Sequence, residues 1–94
     1  MLSQLPADFT KVPKAHLNQE ILRAAIIAEL DAINLYEQMA AQATHPDLKA
    51  VLLDIAGEEQ VHVGEFQIML IRLDPGQVKK MDQAKKEIRG ITGK

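Results

Sequence analysis

The sequence predicts an all-α fold: an antiparallel two-helix hairpin followed by a short third helix. Three observations carry this. No stretch alternates apolar and polar residues in the pattern of a strand. From Gln19 to Ala43 there is neither glycine nor proline, and strong helix formers dominate. Beyond that stretch, His45-Pro46 and Asp74-Pro75-Gly76 divide the chain into further helical segments. With 94 residues and 47% apolar composition, one small soluble domain is expected, and one that gains from oligomerisation or a bound metal.

The elements follow in order. Residues 1–17, with Pro6 and Pro13, read as an irregular arm. Asn18 is the expected N-cap of a first helix over 18–44. Pro46 suits the first turn of a second helix over 46–74, with Asp47 favourable near its positive end. A third helix fits 77–90, stopped by Gly90. Gly57 and Gly64 lie inside the second helix, each costing about 1 kcal/mol relative to alanine. Either another helix approaches closely there or the cost is simply tolerated.

Composition excludes several classes of function. The absence of cysteine removes disulfides, zinc ribbons, iron–sulfur clusters and thiol catalysis. No apolar run reaches the roughly 20 residues that cross a bilayer, and the N-terminus lacks a signal-peptide pattern, so a cytoplasmic location is expected. Residues 1–76 carry five basic and eleven acidic side chains, a balance of −6, whereas residues 77–94 carry six and two, a balance of +4. The basic segment has no aromatic residue to stack on a base, so nucleic acid is not the expected partner. Attraction to the acidic body, its own or a neighbour's, fits better. Val78, Met81, Ala84, Ile88 and Ile91 give that segment an apolar docking stripe.

The register of the two long helices is the informative feature. In the second, a 4-3 repeat runs through Leu48, Leu52, Ile55, Glu59, His62, Phe66, Met69 and Leu73. In the first, the matching stripe is Leu22, Ile26, Glu29, Ile33, Tyr36 and Ala40. Both are apolar at the ends and ionisable in the middle, where a packed stripe is normally apolar. With the hairpin turning near Thr44, Glu29 and Glu59 each lie about 22 Å from the turn at 1.5 Å per residue. Antiparallel packing therefore sets the two carboxylates face to face, with His62 one turn further on. Two carboxylates in an apolar seam repel each other unless a cation joins them.

Glu59 and His62 have the i, i+3 spacing that lets one helix offer two ligands, and Glu29 bridges from the other. Carboxylate oxygen with imidazole nitrogen, without sulfur, suits iron, manganese or zinc. One chain under-ligates a pair of metals. A two-fold dimer of hairpins offers the four glutamates and two histidines of a di-iron carboxylate bundle. The competing reading is a buried histidine–carboxylate cluster that only fixes register in a non-catalytic helical oligomerisation module. His16 and His45 read as surface or capping residues. Glu58 and Glu37 read as solvent-facing, and Glu65 as solvated or as a neighbour of His62.

Glu29-x6-Tyr36 followed by Glu59-x2-His62 resembles half of the ferritin-like di-iron motif. The stretches 29–36 and 58–62 are most similar to the encapsulated ferritins, and the likeness covers roughly residues 19–76. The resemblance implies a half-ferritin chain whose dimer completes a four-helix bundle with one ferroxidase centre at the interface, and dimers that assemble into a ring. It implies that Glu29, Glu59 and His62 bind iron, two ions per dimer, with Tyr36 beside them. Fe(II) and dioxygen or peroxide would be the reactants, iron storage or detoxification the purpose, and an encapsulin shell a possible partner. Rubrerythrin-like peroxide reduction is the related alternative, although no cysteine exists for that group's electron-transfer centre.

Overall fold

Among residues 8–94, which the computed structural model describes, all regular secondary structure is helical. Two short 3-10 turns, Phe9–Lys11 and Lys14–His16, shape the described part of the arm. Helix α1 spans Leu17–Gln42, α2 spans Pro46–Leu73 and α3 spans Pro75–Thr92.

The helix ends show which local signals won. Asn18 is not the cap of α1; His16 occupies that position without a side-chain cap bond. The 3-10 turn before it already bonds the His16 N–H to the Pro13 carbonyl at 2.9 Å, so the chain enters α1 with its backbone pre-ordered. Pro46 and Asp47 open α2 as expected, and His45 caps it, its Nδ1 accepting from the Asp47 N–H at 3.1 Å. Helix α3 begins earlier than Gln77 because Pro75 takes its first turn while Asp74 Oδ1 accepts from the Gln77 N–H at 3.2 Å. Gly90 does not stop it. The helix closes at Gly93, whose φ of 74° suits glycine and whose N–H bonds the Arg89 carbonyl at 2.8 Å.

Helices α1 and α2 form the antiparallel hairpin. At its open end, Gln19 Nε2 donates to the Leu73 carbonyl at 3.0 Å and Arg23 Nη1 lies 3.9 Å from Asp74 Oδ2. These contacts pin the sharp corner between α2 and α3. Helix α3 meets only α2 among the other elements, and every one of its residues is exposed.

The core lies between α1 and α2 and is thin: Leu22 and Ala40 against Leu52, Ala56, Val63 and Leu70. This corrects the expected inward stripe of α2. Leu48 and Met69 are exposed and Ile55 is half-buried, because the face packed on α1 is rotated toward Ala56, Val63 and Leu70. Apolar residues span a wider arc than one neighbouring helix can cover, as expected for a helix meant to touch more than one partner. The chain exposes 7318 Å², against about 5,400 Å² for a compact monomer of its mass.

Candidate metal centre

Helix geometry alone brings the three sequence-predicted ligands together. Glu59 and His62 sit one turn apart on α2, and Glu29 meets them at the same level on α1. Ligand atoms of Glu29, Glu59 and His62 all lie within 4.8 Å of one another. His62 Nδ1 is 3.4 Å from Glu29 Oε2 and 3.4 Å from Glu59 Oε2, at the long edge of hydrogen bonding. One imidazole thus faces two carboxylates, and among the described residues no lysine or arginine lies within 4 Å of either.

The electrostatic consequence is direct. Two carboxylates carry −2, and a single imidazole offers at most +1. The carboxylate side chains are only 22% and 19% exposed, so water screens them incompletely. A cation settling among the three donors would relieve the repulsion. The donors are hard oxygens and an imidazole nitrogen, which fits iron, manganese or zinc. His62 is 47% exposed, so the cluster opens onto the surface of the hairpin rather than into its core.

The other candidates fall apart from the cluster. Tyr36 is half-buried on α1, about 10 Å of helix rise from Glu29. Glu58, Glu65 and Glu37 are exposed. His16 lies exposed at the start of α1, and His45 is committed to capping α2. What sequence reasoning missed is the corner formed by Gln19, Arg23 and Asp74. Its one local signal was Asp74 before proline, since the α1 partners are distant in sequence.

Fold and site together define a ferritin-like half-bundle, a helical hairpin with carboxylate and histidine donors at mid-height. The rubrerythrin family model matches residues 20–91, and the chain belongs to that ferritin-like family. Its homologues include encapsulated ferritins and encapsulin cargo proteins. A crystal structure of the encapsulated ferritin domain from Pyrococcus furiosus superposes with a TM-score of 0.82 at 46% identity, covering 100% of this chain and 98% of that one. A ferritin-like–encapsulin shell fusion protein of Pyrococcus furiosus is 54% identical over 74 residues, which is 79% of this chain and 21% of the fusion protein. The encapsulin nanocompartment cargo protein EncC of Myxococcus xanthus is 37% identical over 84 residues, 86% of this chain and 65% of that protein. No helix among the described residues is long and apolar enough to cross a membrane.

Proposed function

We propose that this chain is one half-ferritin domain whose homodimer oxidises Fe(II) at a shared di-iron site, for iron storage or detoxification. The carrying observation is the cluster of Glu29, Glu59 and His62: three donors within 4.8 Å, under-neutralised, and open on the hairpin's surface. A second copy across a two-fold axis doubles the set to four carboxylates and two imidazoles, enough for two ions.

Fe(II) is the substrate. Glu29 bridges between helices, while Glu59 and His62 hold an ion from the same turn of α2. Two ferrous ions each lose one electron. Dioxygen takes both electrons with two protons to become hydrogen peroxide, or peroxide takes both with two protons to become two waters. The carboxylates favour the ferric product because they are hard and negatively charged, and the hairpin's work is to hold the ions close with coordination positions open. Tyr36, two turns along α1 from Glu29, would act as a shield or redox neighbour from that distance. The half-exposure of His62 weighs against a purely structural polar seam. The names of the encapsulin relatives support a place inside an encapsulin compartment.

The test is iron content and mass in solution, measured on protein purified with iron present. Two irons per dimer, lost in Glu59→Ala and His62→Ala, is the expected result. A metal-free dimer that ignores added Fe(II) would overturn the reading.

A further inference from the structure

The hairpin and the start of α3 enclose a groove of about 480 Å³ that the metal cluster does not use. Ile26 and Ile27 of α1, Leu70 and Ile71 of α2 and Met81 of α3 give it apolar walls. Arg23, Gln67 and Gln77 supply its polar groups. Ile71 lies nine residues from His62 along α2, about two and a half turns of helix, so the groove opens on the side of the hairpin opposite the cluster. A second copy that completes the metal centre leaves it uncovered.

Size and chemistry select the occupant. A volume of about 480 Å³ falls in the range of small-molecule sites, whereas a helix some 10 Å across would fit barely one turn into it. The walls are aliphatic, with no aromatic ring among the described residues that line them, which suits a flexible hydrocarbon chain better than a flat ring. Among the same residues Arg23 is the only cation. Its Nη1 stands 3.9 Å from Asp74 Oδ2, beyond hydrogen-bond length, and its side chain is 50% exposed. The planar fork of N–H donors is therefore free to take a carboxylate through two parallel hydrogen bonds. The amides of Gln67 and Gln77 add neutral donors on the same lining.

We infer that this groove binds an aliphatic carboxylate of medium chain length, with its head group on the Arg23 guanidinium. The chain lies along the isoleucines, Leu70 and Met81, and its burial takes apolar surface of all three helices out of water. Asp74 is the internal rival for Arg23, held nearby because its other oxygen caps α3. Contact with Met81 ties α3 to the hairpin at a second place beyond the corner. The site is independent of the iron chemistry.

The test is isothermal titration calorimetry of the full chain with sodium octanoate. One octanoate per chain is the expected result. Octan-1-ol, which has the chain without the charge, should bind at least about ten-fold more weakly, the worth of one hydrogen bond to a charged group. Acetate, which has the charge without the chain, should give no signal. Arg23→Gln should weaken octanoate by about the same ten-fold and leave octan-1-ol unchanged, with circular dichroism confirming the helices. Asp74→Asn keeps an acceptor for the α3 cap but removes the rival charge, so octanoate should bind about two-fold more tightly. Native protein that ignores octanoate, as it would with a second copy filling the groove, overturns the inference. So does equal affinity for the alcohol, unchanged affinity in Arg23→Gln, or looser binding in Asp74→Asn. Iron content is read on separate samples, and its absence would sink the proposed function without touching this result.

Discussion

The hairpin and α3 are both helical, yet they depend on their surroundings in opposite ways. The hairpin buries a seam, holds half-buried carboxylates at its surface and carries most of the chain's internal contacts. Helix α3 buries nothing of its own, is basic, and is attached through a single corner. The difference teaches where each one's stability comes from. Amphipathic packing sustains the hairpin, whereas α3 relies on capping by Asp74 and Gly93 and on whatever covers its stripe.

Breaking the hairpin's chemistry should give the largest effect. Glu59→Ala or His62→Ala is expected to slow iron oxidation by at least about 100-fold, the upper end of what loss of a mere outer-shell partner costs. Circular dichroism should show the helices intact. A stopped-flow oxidation rate within a few-fold of native would remove both residues from the site.

The next effect is on stability and has the opposite sign. Glu29→Leu with Glu59→Leu should stabilise the metal-free protein by about 1 kcal/mol, since an under-neutralised pair gives way to apolar side chains. Thermal melting with chelator present reads this. The same variant should lose the rise in melting temperature that Fe(II) or Mn(II) confers on the native protein. A clear loss of metal-free stability would instead make the cluster a structural device.

Gly64→Ala separates the two regions. Within the single chain the added methyl meets nothing within 4 Å, and helix propensity improves by about 1 kcal/mol. The variant should therefore be the more stable protein in urea melts, and a loss of stability would mean that another element comes close to that face in solution.

The smallest effect belongs to the corner. Gln19→Ala removes the bond to the Leu73 carbonyl, an exposed contact worth about 0.5 kcal/mol. Hydrogen exchange at Asp74–Val78 should quicken while that at Glu59 and His62 stays unchanged. Equal protection at the corner in both proteins would show that Arg23 and Asp74 suffice.

Much of the site was legible because it depends on arithmetic along helices. Fifteen residues from the turn on each side places Glu29 opposite Glu59 whatever the flanking residues are, and the structure sets their ligand atoms together. The rotation of α2 was not legible. Leu48 and Met69 continue the same 4-3 repeat as Leu52 and Glu59, yet both are exposed, and Ile55 is only half-buried. Nor was the start of α3, where a proline and a glycine read as a break but Asp74 turned the proline into a first helical residue.

By itself, then, the sequence determined three helices, their antiparallel pairing, and the level at which carboxylates and histidine meet. Helical period and rise are properties of the backbone and need no knowledge of neighbours. Only the tertiary structure decided which arc of α2 is buried, which way α3 points, and that His62 stands half-open at the surface. Those depend on contacts between residues far apart in the chain, Gln19 with Leu73 and Arg23 with Asp74 among them, which no local pattern encodes.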